Sequence, residues 1–191
     1  MRLLKIVILA IMLLAVALFG ASYQMPLQIE VEQSIVLDAK PEQVYTLLEN
    51  PAEWEQWNAV NTTADPSMIR MYSGPMSGSG ARMEWSGDKV GTGVVVFTES
   101  IIPNRLTYRQ SDKSSSDTTN GIFTLEQVED GHTKLHWRQT ATVKDEPIAR
   151  LFGAWQKYKK QEELDKGLSG LKSILLKKAA QPVSKRRVAN M

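Results

Sequence analysis

Two histidines, His132 and His136, are the side chains in this sequence best suited to bind a metal ion. They lie four residues apart in a segment that alternates apolar and polar residues, as a β-strand does. On a strand that spacing separates the two side chains by about 13 Å, which is too far for one ion. The chain contains no cysteine, which excludes disulfides, thiolate ligands and thiol nucleophiles. The sequence therefore predicts no metal site, and alternation places His136 on the outer face of its strand.

A catalytic pair of carboxylates would require two acids that face the same cavity. Glu84 lies between Met83 and Trp85 in a predicted strand, so it points away from the face that those two share. Three further acids fall on the side of a predicted C-terminal helix that we expect to face solvent: Glu162, Glu163 and Asp165. The glycine-rich segments lack the lysine of a phosphate-binding loop, and no cofactor is predicted. We assign no catalytic residue, and Tyr108 is the only ionisable side chain that alternation offers to a cavity.

Seven strand-like segments, separated by clusters of glycine, serine and asparagine, would position these side chains. They span residues 27–37, 67–72, 81–85, 93–99, 105–110, 121–127 and 133–143. Their spacing favours an antiparallel meander over alternating strands and helices. In the first segment the alternation slips near Gln33 and Ser34, which predicts a bulge or a sheet edge. Residues 111–120 are polar and are predicted to form a hairpin loop.

Two short helices are predicted between the first and second strand segments, and a longer helical segment after the last strand. Pro41 begins a short helix that ends at Asn50, and a second short helix follows over residues 52–57. From Pro147 onwards, leucines and aromatic residues recur at helical spacing. This pattern predicts either one long helix or a kinked pair, with three glycines as weak points: Gly153, Gly167 and Gly170.

The N-terminal segment is apolar and uncharged from Ile6 to Phe19. A cleaved signal peptide would need small residues at the cut, and residues 20–22 offer them, although Phe19 is bulky. An uncleaved anchor needs about 20 residues to cross the hydrocarbon core. Residues 3–22 reach that length, so we favour a single-pass anchor and keep an exported, cleaved protein as the alternative. Residues 1–25 are therefore assigned to the anchor or signal segment.

Charge sets the expected location of the rest of the chain. Arg2 and Lys5 precede the apolar run, so the domain should lie outside the cytoplasm. In a bacterium this predicts an inner-membrane protein that faces the periplasm. The net charge is +2, and the basic residues near the C-terminus account for it: Lys177, Lys178, Lys185, Arg186 and Arg187. This distribution argues against a nucleic-acid partner and predicts a disordered basic tail over 180–191, which is solvated or in weak contact with anionic lipid.

Several short motifs, in the same order along the chain, resemble those of the START-like (SRPBCC, helix-grip) superfamily. The resemblance is greatest to its polyketide cyclase/dehydrase-type members and covers about residues 28–178. The motifs are VEQSIVLDAKPEQVY at 31–45, NPAEWEQWN at 50–58, GTG at 91–93, IPNRLTY at 102–108, GHTKLHW at 131–137 and GLSGLK at 167–172. Two positions depart from the family pattern, because Asn50 replaces an aspartate and Asn58 replaces an apolar residue or proline.

The resemblance implies an α+β helix-grip fold over residues 26–179. In that fold a curved antiparallel sheet of about seven strands surrounds a long C-terminal helix, with a cavity between them. Members bind lipids, sterols, quinones, polyketides or hormones, and some are enzymes. Alternation along the strands and the helical spacing predict the side chains that would line the cavity: Met83, Trp85, Tyr108, Phe123, Trp137, Gln139, Phe152 and Trp155.

Three functions remain open on the sequence alone. The first is a membrane-anchored domain that binds a small hydrophobic ligand such as a lipid, a quinone or a polyketide-like molecule. The second is an enzyme of the cyclase or dehydrase type, which would need an ionisable group in the cavity. The third is a protein-interaction module of an envelope complex, which would not require aromatic residues facing a cavity. We favour the first, and do not expect an enzyme.

Overall fold

The computed structural model describes residues 2–113, 118–142 and 146–180. Four α-helices and seven strands form in this part of the chain. In chain order they are α1 (Arg2–Ser22), β1 (Gln28–Leu37), α2 (Pro41–Glu49), α3 (Trp54–Trp57), β2 (Ile69–Ser73), β3 (Arg82–Gly87), β4 (Gly91–Ile101), β5 (Arg105–Asp112), β6 (Thr118–Gln127), β7 (Thr133–Thr142) and α4 (Pro147–Ala180). The predicted α+β class and the order of elements are confirmed.

The seven strands form one curved antiparallel sheet in the order β1-β7-β6-β5-β4-β3-β2. The chain therefore runs as a meander from β2 to β7, and β1 closes the sheet against the last strand. One end of this sheet contains the start of β1, paired as Gln28 with Thr142, and the end of β5, paired as Asp112 with Gly93. Because α1 leads into β1 here, we call this the α1 end of the sheet.

β1 is an edge strand, as predicted, but it contains no bulge. Its pairing with β7 is uninterrupted from Gln28 to Leu37. The inward positions of β1 hold apolar residues, with the exception of Gln33. This polar residue at an inward position caused the apparent slip in the sequence pattern. The register shift in this sheet lies instead in β4, between Phe97 and Glu99.

The hairpin between β5 and β6 is tighter than the polar sequence of 111–120 predicted. β5 continues to Asp112 and β6 begins at Thr118. Thr119, which lies in the predicted loop, is instead buried on the inner face of β6. Its β-branched side chain favours a strand although it is polar. The remaining residues of the predicted loop, 114–117, lie outside the described part of the chain.

An aromatic cluster fills the centre of the domain. Trp54 and Trp57 of α3 pack against four aromatic residues of the sheet, with ring centroids 5.2 to 6.1 Å apart: Phe97, Tyr108, Phe123 and Trp137. The two indoles also donate hydrogen bonds to the end of α2, from Trp54 Nε1 to Leu48 O (2.8 Å) and from Trp57 Nε1 to Leu47 O (3.0 Å). These bonds satisfy the buried indole donors and fix α3 beneath the sheet.

α4 is a single helix of 34 residues that lies against this core. Its buried positions include Leu164, Leu168, Leu171 and Leu175. Gly167 and Gly170, predicted as weak points, are instead its closest contacts. A Cβ atom at Gly167 would lie 2.7 Å from the Trp137 ring, and one at Gly170 would lie 2.4 Å from Trp57 O. The absence of a side chain lets the helix axis approach the core.

α1 projects from the domain with its apolar side chains exposed. Residues Leu3–Ser22 are long and apolar enough to cross a membrane, and in the described chain only this helix meets that criterion. A signal sequence would meet it as well. Five residues, 23–27, join α1 to β1.

Candidate functional site

A cavity of about 330 Å³ lies between the α1 end of the sheet and the first half of α4. The inner faces of β3, β5, β6 and β7 form its floor, and α4 forms one side of its mouth. The lining residues are Val60, Trp85, Val90, Thr92, Gln110, Asp112, Thr119, Ala141, Thr142, Trp155, Gln156, Lys159, Lys160 and Glu163. Its volume falls at the small end of the range for small-molecule sites.

A second, much smaller space of about 20 Å³ adjoins this cavity. Val60, Trp85 and Gln110 border both, so the small space extends the cavity towards the aromatic core. Its remaining walls are mostly apolar: Trp54, Asn58, Met83 and Val95. The larger space is therefore lined mostly by polar and charged side chains, and the small inner extension is mostly apolar.

Trp85 lies in the wall that the two spaces share. Its ring packs over Gly93 on the neighbouring strand, where a Cβ atom would come within 2.3 Å of the indole. The indole Nε1 is buried and has no hydrogen-bond partner among the residues that the structure describes. A buried donor without a partner is costly, so this N–H is available to an acceptor if the surrounding side chains move to admit one.

Tyr108 adopts a similar arrangement on β5 but is fully paired. Its ring packs over Gly121 of β6, and its hydroxyl accepts hydrogen bonds from Trp137 Nε1 (2.9 Å) and Gln139 Nε2 (2.8 Å). Burial raises the pKa of the phenol well above its usual range, and the two donated hydrogen bonds offset this only in part. The geometry locks Tyr108 as a neutral acceptor in the core, which does not suit it to transfer protons in the cavity.

The eight side chains predicted to line the cavity occupy three different places. Trp85 and Trp155 line the larger space, and Met83 joins Trp85 around the smaller one. Four others are buried in the centre and border neither space: Tyr108, Phe123, Trp137 and Gln139. The rings of α3 fill the volume in front of them. Phe152 is 56% exposed on α4 and also borders neither space.

Charged residues of α4 surround the mouth. Lys160 Nζ donates to Thr119 Oγ1 (3.0 Å), and Lys159 Nζ lies 4.7 Å from the centre of the Trp155 ring. Glu163 also lines the mouth of the cavity, and its side chain remains exposed to solvent, as expected. Desolvation raises the pKa of Glu163, although Lys160 and Lys159 act in the opposite direction. Alternation along the strands could not reveal these residues, because they lie on the helix that covers the sheet.

One rim of the cavity is held in place by a buried aspartate. Asp65 accepts hydrogen bonds from the backbone N–H groups of Lys89 (2.7 Å) and Val90 (3.0 Å), and also from Ser67. The Ser67 hydroxyl bond is the largest cause of a pKa far below the usual range for aspartate, and the backbone bonds add to it. The β3–β4 turn, which carries Val90 to the cavity, is therefore anchored by a single carboxylate.

The two histidines lie apart from this site. His132 Nδ1 is 3.2 Å from Asp38 Oδ1, and His136 Nδ1 is 3.5 Å from Glu32 Oε1 on the outer face of β1. Within the described ranges no three side chains of the metal-binding types come together.

Residues 28–175 match the sequence family described as polyketide cyclase/dehydrase and lipid transport. Among curated proteins, none matches the sequence. Similar solved structures include a Staphylococcus aureus protein of unknown function (11% identity, TM-score 0.61, 83% of this chain and 99% of that one). A hypothetical Helicobacter pylori protein (10%, 0.59, 76% and 86%) and a Rhodobacter sphaeroides protein (20%, 0.54, 81% and 95%) are also similar. At such identities the likeness establishes a shared fold alone.

Proposed function

We propose that this chain, which belongs to the polyketide cyclase/dehydrase and lipid transport family, binds a small, mainly apolar molecule that carries a hydrogen-bond acceptor. The family and fold support a ligand-binding or cyclase-type domain. Of these two, binding makes the smaller demand on the site: a cavity with a small, mostly apolar inner extension, an unpaired indole donor in the shared wall and a mouth open to solvent. The proposed anchor would hold this binding domain on the periplasmic face of a bacterial inner membrane.

The unpartnered indole N–H of Trp85 is the observation that carries this proposal. A core that had no use for this donor would pair it, as the other three buried indoles of the chain are paired. An oxygen of a bound molecule would satisfy it after a local movement that opens the indole nitrogen to the cavity, because this nitrogen is closed to solvent in the structure. Quinone carbonyls, fatty-acid carboxyls and polyketide carbonyls all offer such an oxygen on an apolar body.

A cavity-filling substitution tests the proposal. Ala141 is buried on the inner face of β7 and lines the cavity, whereas Thr140 is the adjacent residue on the outer face. We expect Ala141→Phe to abolish binding and the matched control Thr140→Phe to preserve it. Native mass spectrometry of the full-length protein in detergent would detect bound molecules, both as purified and after addition of a short-chain quinone or dodecanoic acid.

Two results would overturn the proposal. One is a parent protein that carries no apolar molecule as purified and binds neither added compound. The other is an Ala141→Phe variant that binds as the parent does. Thermal unfolding of both variants establishes that they are folded, so that a loss of binding can be assigned to the filled cavity.

A reaction in the cavity is the second candidate function, and Glu163 favours it. This carboxyl lines the cavity and its raised pKa brings it nearer to neutrality, as a general acid or base requires. If the domain catalyses cyclisation or dehydration, Glu163→Gln will abolish turnover of a model polyketide and leave its binding intact. If turnover is undetectable in the parent or unchanged in the variant, this second function is excluded.

A further inference from the structure

Three exposed aromatic side chains follow one another along the first half of α4. Phe152 and Trp155 are each 56% exposed, and Tyr158 is 69% exposed. Positions three apart on a helix lie on the same side, so the three rings form one strip. We call Phe152, Trp155 and Tyr158 the aromatic strip. Large apolar side chains so arranged on a surface usually mark a contact with another molecule or a membrane.

The aromatic strip begins beside the end of α1. Arg150 Nη1 donates to Tyr23 O (3.2 Å), and its guanidinium lies 5.3 Å from the centre of the Tyr23 ring. The Tyr23 ring in turn meets Phe19, the last large apolar residue of α1, at 5.4 Å. A chain of contacts therefore joins the apolar helix to the start of α4. Any bilayer that holds α1 must have its surface close to Arg150.

The charge around the strip suits an anionic surface. Residues 147–160 contain four basic side chains and no acidic one: Arg150, Lys157, Lys159 and Lys160. Aromatic rings combined with lysine and arginine on one helix are typical of helices that lie in the interface of a membrane with anionic lipids. A protein partner would not by itself require the strip to continue from an apolar spanning helix.

From this continuity and charge we propose that the first half of α4 docks on the bilayer surface where α1 ends, with the aromatic strip at headgroup level. The partner is the lipid bilayer itself, with anionic headgroups that pair with the basic residues. Trp155 also lines the mouth of the cavity, so docking places that mouth against the lipid. This inference goes beyond the proposed function, because it depends on α1 as an anchor and not on any ligand.

Tryptophan fluorescence can test this directly, because Trp155 is the one exposed tryptophan of five. The other four are at most 7% exposed: Trp54, Trp57, Trp85 and Trp137. The full-length protein is reconstituted into phosphatidylglycerol-containing vesicles, either with ordinary acyl chains or with chains brominated near the headgroup. We expect brominated lipid to quench the parent and Trp155→Phe to lose most of this quenching.

A matched control places a tryptophan at the opposite end of the domain. Met76 is 86% exposed and follows β2 at the end of the sheet away from α1, about 30 Å along the strands. The double variant Trp155→Phe, Met76→Trp should show no more quenching than Trp155→Phe alone. Lys157→Glu should reduce quenching of Trp155 in the anionic vesicles, since it removes one positive charge and adds a negative one.

Three results would overturn the inference. The parent and Trp155→Phe could be quenched equally, the double variant could be quenched as strongly as the parent, or the parent could remain unquenched because a second copy covers the strip. Cross-linking in the vesicles identifies that last case. Vesicle flotation shows separately whether α1 has inserted into the bilayer. Co-extraction of ligand is measured on the same preparation. Failure of the docking can therefore be distinguished from failure of the anchor and from failure of ligand binding.

Discussion

At the residue scale, the hydroxyl of Tyr108 illustrates how polar atoms are accommodated in a core made of rings. Trp137 and Gln139 place N–H groups in the interior, and each needs an acceptor there. One phenol oxygen serves both. Burial keeps the phenol neutral by raising its pKa, and its ring borders neither space of the cavity. Tyr108 is therefore a structural residue, although its position in the sequence suggested chemistry.

Replacing Tyr108 with phenylalanine should destabilise the domain. Tyr108→Phe keeps the ring but leaves the Trp137 and Gln139 donors without an acceptor, which should lower the free energy of unfolding by about 2 kcal/mol or more. Urea or thermal unfolding of the full-length protein in detergent measures this change. Tyr158→Phe, at an exposed position, is the control and should leave stability unchanged. Equal stability of Tyr108→Phe and the parent would contradict the assignment.

Asp65 should make stability depend on pH. Its pKa is lower in the folded protein than in the unfolded chain, where it is about 3.9. Its ionised form therefore stabilises the fold above about pH 4, and this contribution is lost as the pH falls below that value. We expect Asp65→Asn to be less stable than the parent at neutral pH, and the difference to shrink as the pH falls from about 4 to about 2. Unfolding curves across this range check the prediction, and a difference that does not vary with pH would refute it.

At the element scale, α4 depends on two glycines for its contact with the core. Helix propensity alone predicts that alanine at either position would stabilise the helix by about 1 kcal/mol. At Gly170 the added Cβ would meet the backbone oxygen of Trp57 at 2.4 Å, and a backbone atom cannot move aside as a side chain can. The cost of this overlap should exceed the gain in propensity.

We therefore predict that Gly170→Ala lowers the thermal unfolding temperature. Ser169→Ala, one residue earlier and exposed, should leave the unfolding temperature unchanged or raise it slightly, because it gains propensity without a contact. Differential scanning fluorimetry of the two variants and the parent measures these unfolding temperatures. An unfolding temperature for Gly170→Ala at or above that of the parent would show that α4 is packed more loosely than described.

The strands and helices were predictable from the sequence wherever buried residues recur at a regular spacing. Apolar alternation identified the strands, and leucines at helical spacing identified α4. The glycines of α4 could not be interpreted in the same way. A glycine is compatible both with a break in a helix and with a close contact, and only the position of Trp57 and Trp137 decides between them. The apparent slip in β1 has a similar cause, because a half-buried Gln33 interrupts the pattern but not the strand.

The candidate site was less predictable than the fold. Alternation shows which face of a strand is inward, but not how far along the strand the covering elements reach. Trp54 and Trp57 occupy the space in front of Phe123 and Trp137, and the cavity lies further along the strands, at the α1 end of the sheet. Glu163 lies at the mouth of the cavity because of the way α4 packs on the sheet. The sequence pattern of a single helix does not reveal that tertiary packing.

At the scale of the whole molecule, the apolar helix should remain attached to the domain. If α1 is an anchor, protein extracted from membranes will have an intact mass of about 21.4 kDa, will resist alkaline washing and will require detergent for release. Mass spectrometry distinguishes this from a protein cut near Ala21, which would be lighter and would leave the membrane without detergent. A truncated mass would establish the signal peptide instead.

The five-residue connection between α1 and β1 limits how far an anchored domain can travel. Fully extended, residues 23–27 span at most about 18 Å, and the Arg150 contact with Tyr23 shortens the usable length further. A domain that carries a ligand across an aqueous compartment needs either a long flexible linker to its anchor or no anchor. With a five-residue linker, the anchored domain would work at a single leaflet. A molecule in its cavity would then be collected or delivered by a partner that comes to the membrane surface.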